Sequence, residues 1–99
     1  MSKEIFVVET IKAVPGKKDE LKRALTKLVP TSRKSPGCLQ YNLLEPIDKN
    51  DEFLILMCWR KLDDLRNHET SEYVEKFVKE YDQILYDQVK VTEWYQLEI

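Results

Sequence analysis

His68 is the only histidine in this chain of 99 residues. A lone imidazole is the natural general acid or base near neutral pH. It follows Leu65 by three residues, so on a helix both side chains point the same way. Two readings stand for it: a proton-transfer group at the edge of a space between helices and sheet, or a hydrogen-bonded packing residue. Metal ligation has little support, because neither HxH nor HxxxH spacing occurs. Tyr41, Trp59, Tyr73, Phe77, Tyr81, Trp94 and Tyr95 are enough aromatic surface to wall a cleft for a flat organic ligand, or simply to fill a core. Gln40 and Asn42, polar groups inside a strand-like segment, either orient such a ligand or sit at a sheet edge. Cys38 and Cys58 are too few and too badly spaced for a zinc site with one histidine. They read instead as small buried hydrophobes that stay thiols. GxGxxG, GxxxxGK[ST] and GxSxG are all absent, and two glycines cannot build phosphate-cradling loops. No flavin, nicotinamide or metal signature exists, so no cofactor is expected.

The elements that must carry these residues are legible from periodicity. Phe53 to Trp59 is a run of seven apolar residues without a polar break, which implies a strand buried on both faces. Ile5-Phe6-Val7-Val8 makes the same demand within a first strand from Lys3 to Ala13, closed by Pro15-Gly16. Leu21, Ala24, Leu25, Leu28 and Val29 then form one helical stripe. Pro30 predicts a kink or break, with a short turn over Thr31 to Lys34 before Ser35-Pro36-Gly37. Strand 2 is expected over Cys38–Leu44, with Gln40, Asn42 and Leu44 on one face. A hairpin-type connection (residues 46–51) leads to strand 3, Phe53–Arg60. A short helix carries Leu62, Leu65 and His68, and a second piece carries Tyr73, Val74, Phe77, Val78 and Tyr81, with Thr70 or Ser71 as N-cap. Strand 4 follows, with Val89, Val91, Tyr95, Leu97 and Ile99 alternating with polar residues.

The order β-α-β-β-α-β predicts an α+β, ferredoxin-like sandwich: a four-stranded antiparallel sheet with its helices on one face. Strands apolar on both faces would leave a large apolar patch on the uncovered side, and such patches mark interaction surfaces. A second copy packing sheet against sheet is the economical cover, so a homodimer with a barrel-like core is expected.

Size and composition agree with a single domain over residues 1–99, with one compact core. The net charge of −2 excludes a dedicated nucleic-acid binder. Charge is uneven: eight basic residues against two acidic ones lie between Lys12 and Lys34, and the chain is acid-rich from Glu45 onward. The basic stretch reads as a solvated helix face, or as a weak attraction for anionic ligands. Residues 1–4 show no signal-peptide pattern and no apolar run approaches the ~20 residues of a membrane span, so a cytoplasmic protein is expected.

Several blocks resemble the antibiotic biosynthesis monooxygenase domain: Pro15-Gly16 before a leucine-striped helix, the SR-x-x-PGC-x-x-Y block over Ser32–Tyr41, and Phe53 with Trp59 followed by L-x-x-H-x-x-S at Leu65, His68 and Ser71. The resemblance covers roughly Val7 to Val78 and implies a ferredoxin-like protein that dimerises through its sheets as an α/β barrel. It implies a cofactor-independent monooxygenase acting on a quinol-like or phenolic small molecule with O2. By matching position, His68 would be the catalytic proton acceptor or shuttle, and Trp59 and Tyr41 would wall its pocket; Asn42, Tyr73 and Phe77 complete the candidate substrate-binding set. Arg33 would tie the helix end to the sheet. Many members carry a glutamate just before the strand 3 tryptophan, where this chain has Cys58. The Asn-Trp-His set of haem-degrading relatives is not matched, since strand 1 holds no Asn. The alternatives are a non-catalytic module binding a small aromatic ligand, or an isomerase of a small phosphorylated signalling ketone.

Overall fold

The computed structural model describes residues 3–99. Its elements are β1 (Ile5–Lys12), α1 (Lys18–Arg33), β2 (Cys38–Leu44), β3 (Glu52–Trp59), α2 (Leu62–Glu69), α3 (Glu72–Tyr81), a single 3-10 turn (Asp82–Ile84) and β4 (Lys90–Tyr95). The fold is α+β: one antiparallel sheet in the order β2-β3-β1-β4, with three helices. Among the described residues, no helix is long and apolar enough to cross a membrane.

Alternation along β1 and β3 sorts their side chains into two layers. The rungs Ile5–Trp59, Val7–Met57, Glu9–Ile55 and Ile11–Phe53 face the helices. Phe6–Cys58, Val8–Leu56 and Thr10–Leu54 face the opposite side, which no helix covers. On the helix side Phe53, Trp59, Leu21, Leu25 and Leu65 are fully buried, each contributing about 1.5–3 kcal/mol through burial of apolar surface. Leu21, Ala24 and Leu25 supply the buried stripe of α1, while Lys22, Arg23 and Lys27 stay in solvent.

Three local expectations are corrected. Pro30 neither breaks nor ends α1, which runs on to Arg33. Proline removes one backbone bond, to the carbonyl of Thr26, and both residues are exposed, so water can satisfy that carbonyl. The turn beyond is held from outside: Arg33 donates from Nε to the Tyr41 carbonyl (3.0 Å) and from Nη2 to Asn42 Oδ1 (3.3 Å), tying the helix end to β2. Ser71 occupies the N-cap position of α3 but does not cap it; its hydroxyl donates to the His68 carbonyl at 2.6 Å. Strand pairing of β4 stops at Tyr95, and Leu97 and Ile99 are exposed beyond it.

Gly37, with φ +80°, turns the chain from α1 into β2, and its carbonyl accepts from Arg60 N at 2.8 Å. A Cβ at this position would run into the Asp64 side chain. The two glycines therefore differ, because Gly16, at φ +85°, has open space around it.

Candidate functional site

Four elements converge on the His68 ring. β3 ends with Trp59, whose indole lies against the imidazole at 4.7 Å between centroids and 33° between planes. β2 contributes Tyr41, edge-on at 5.8 Å and 69°. α3 brings Tyr73, at 5.6 Å. α2 carries His68 itself in its last turn, one helical turn after buried Leu65, so both face the sheet. His68 is 6% exposed.

A chain of hydrogen bonds fixes this ring. His68 Nδ1 meets the Tyr73 hydroxyl at 2.7 Å, that hydroxyl meets Ser35 Oγ at 2.6 Å, and Ser35 Oγ donates to the Thr31 carbonyl at 3.2 Å. Both hydroxyls can donate or accept, so the chain can run in either direction. In the direction that puts the Ser35 proton on Thr31, Tyr73 donates to Ser35 and accepts from Nδ1–H, which leaves the Nε2 lone pair free to act as a general base. Burial pulls the His68 pKa down to about 4, so the ring is neutral at pH 7.

His68 opens onto a cavity of about 360 Å³ between the helices and the front of the sheet. Its walls are mostly apolar, with Val7, Ile11, Leu25, Ile55, Met57 and Phe77 among them. The 3-10 turn and the segment leading to β4 contribute Asp82, Leu85, Asp87 and Gln88 to its lining. Tyr41 lines the same space, and burial holds its phenol well above its usual range, hence neutral. The Ser32 hydroxyl stands near that phenol without meeting hydrogen-bond geometry; Ser32 Oγ and Trp59 Nε1 are buried with no partner among the described residues.

Glu9 is the site residue that sequence reasoning missed. It lines the cavity two front-face rungs along β1 from the Ile5–Trp59 rung, and no described residue hydrogen-bonds its carboxyl. Burial first, and then the charge of Glu69, push its pKa up to about 7. The signal was present: Glu9 shares the parity of Ile5, Val7 and Ile11, which places a carboxylate on the otherwise apolar, helix-facing side of β1.

The expected site residues divide into three groups. His68, Tyr41 and Phe77 line the cavity. Trp59 and Tyr73 touch the His68 ring from behind and do not line it. Asn42 is a correction: it pairs with Leu56 on the far face and accepts from Arg33 at the sheet edge, so it is not brought to the cavity. Trp94 pairs with Phe6 on that far face and Tyr95 is exposed on the edge strand, so neither joins the aromatic wall. Tyr81 packs on Phe77 at 5.1 Å. Cys38 and Cys58 are free thiols, and burial beside Glu4 pushes the Cys58 pKa up to about 11. Among the described residues no three His, Cys, Asp or Glu side chains gather as a metal-ligand set.

The family profile described as antibiotic biosynthesis monooxygenase matches residues 4–80. No curated protein matches the sequence. Among solved structures, a protein of Pseudomonas aeruginosa is 33% identical, with a TM-score of 0.92 over 99% of this chain and 98% of that one. A proposed antibiotic biosynthesis monooxygenase of Deinococcus radiodurans shares the fold at 22% identity and a TM-score of 0.87, covering 96% and 94% of the two chains. A Mycobacterium tuberculosis protein does so at 22% and 0.88, over 97% of each chain.

Proposed function

Since the chain belongs to the antibiotic biosynthesis monooxygenase family, we propose that it is a cofactor-independent monooxygenase oxidising a quinol-like or phenolic small molecule with O2. One observation carries this: an apolar cavity of about 360 Å³ lined by a neutral histidine whose Nδ1 is hydrogen-bonded to Tyr73. An electron-rich phenolate can reduce O2 directly, so the protein has to bind, orient and deprotonate it away from water.

His68 Nε2 takes the phenol proton. The phenolate passes one electron to O2, and the resulting radical pair joins as a C–O bond at the ring carbon opposite the hydroxyl. His68 returns its proton to the peroxide. Glu9, whose carboxyl exchanges protons near pH 7, takes the hydrogen from that carbon as a proton. The O–O bond then breaks, the departing hydroxide collects the proton, and phenol plus O2 become quinone plus water. Tyr41 and Phe77 hold the ring, and Trp59 and Tyr73 keep the imidazole in place. A homodimer formed through the far face of the sheet belongs to the same proposal, supported by the apolar Phe6, Val8, Leu54 and Leu56 on a side that no helix covers.

Oxygen uptake with a panel of phenols and quinols tests the activity. His68→Ala, checked for folding by circular dichroism, should lower turnover by roughly 10²–10⁴-fold. Undiminished uptake by the folded variant overturns the role of His68. Binding without any uptake by the unaltered protein would leave a ligand-binding module instead.

A further inference from the structure

The charged groups around the cavity are all of one sign. Glu9 lies in its wall, and Glu69, Asp82 and Asp87 are the exposed, solvent-facing acids of its lining; among the described residues no lysine or arginine lines it. Glu69 is paired with Arg66 at 2.8 Å, but that guanidinium also grips Glu93 through both nitrogens, at 2.7 and 2.9 Å. One cation shared by two carboxylates leaves the group net negative and leaves Arg66 committed. The basic residues in and just before α1 lie elsewhere: Lys17 pairs with Glu20, Lys22 with Glu45, and Lys18 sits over the Phe53 ring. The attraction for anions that α1 suggested as a sequence is therefore not directed at this space.

We propose that the cavity selects its ligand by charge, admitting uncharged or cationic aromatic molecules and rejecting anionic ones. This rests on the cavity being the ligand site proposed above. A sulfonate or phosphate entering here would leave water for an apolar chamber, pass a carboxylate rim and find no cation to pair with. The phosphorylated ketone considered for the sequence is thus a poor fit. An unsubstituted phenol or a neutral quinol meets no such barrier.

The test uses two probes of nearly equal size, a hydroxynaphthalene sulfonamide and the matching sulfonate, with calorimetric binding at neutral pH and low salt. The uncharged sulfonamide should bind at least about tenfold more tightly, and the gap should narrow at high salt, where rim charges are screened. It should also narrow in Asp82→Asn/Asp87→Asn, which alters only exposed side chains. Affinities within about twofold of each other, or a gap insensitive to salt and to the double variant, overturn the charge selection while leaving oxidation intact. Sulfonamide binding without oxygen uptake overturns the oxidation and leaves the selection standing. Binding of neither probe overturns both.

Discussion

Burial moves the two titratable groups of the cavity in opposite directions. The Glu9 carboxyl rises from 4.5 to about 7, so the folded protein holds its proton more tightly than the unfolded chain does. This contribution is fully present below pH 4.5 and is lost as pH climbs through 7. His68 falls from 6.5 to about 4, so its contribution is present above pH 6.5 and is lost as pH drops toward 4. Each is worth on the order of 3 kcal/mol, and in the shared window the slopes oppose each other. Urea midpoints of the unaltered protein should therefore vary little across that window. In Glu9→Gln only the histidine slope remains, so stability should rise with pH there, and the variant should exceed the parent above neutrality. A Glu9→Gln curve parallel to the parent curve would contradict the burial of this carboxyl. His68 was legible as a candidate because it is the sole histidine, and Tyr41 because it lies in a strand segment that faces the same space; both line the cavity. Glu9 was not legible, because attention stopped at the apolar run Ile5 to Val8, and Glu9 follows directly after it. Asn42 misled for a related reason: parity assigns a residue to a face of the sheet without saying which face the helices cover.

Local sequence signals gave the elements well and their joints less well. Every strand and helix lies within a few residues of where periodicity put it, since alternation and the 3.6-residue stripe follow directly from which side chains must leave water. Pro30 was misjudged because a proline in the last turn of a helix costs little when the carbonyl it orphans faces solvent and the turn beyond is tethered by Arg33. The Ser71 hydroxyl prefers the His68 carbonyl over a capping bond, which locks α2 to α3 directly behind the site residue. The joint at Gly37 yields a sharper expectation. Both glycines have positive φ, so alanine should cost about 1 kcal/mol at Gly16 from backbone strain alone. At Gly37 the Asp64 side chain must also move, so the loss should be larger, roughly 2 kcal/mol or more. Equal urea midpoints for Gly16→Ala and Gly37→Ala would show that the α1–β2 turn is looser than its contacts with Asp64 imply.

The proposed dimer follows from the two-faced sheet. The helix side is covered by α1, α2 and α3, while the rungs Val8–Leu56 and Thr10–Leu54 have no helix over them. Light scattering at micromolar concentration should return the mass of two chains. Leu56→Lys places a charge in the middle of that face and should shift the population to monomers without emptying the core on the helix side. A monomeric parent protein would contradict the pairing. Periodicity could reveal that both faces were apolar and so motivate a second copy, but the cover itself lies outside anything one chain's local signals encode. The sheet also carries one indole on each side: Trp59, fully buried against the imidazole, and Trp94, 58% exposed on the far face. Their fluorescence should separate by colour, the sheltered one emitting to the blue and the wet one to the red. The blue band would then report events at the histidine, and the red band would report the meeting of two subunits in the proposed dimer, so a single emission spectrum would follow both processes without an added label.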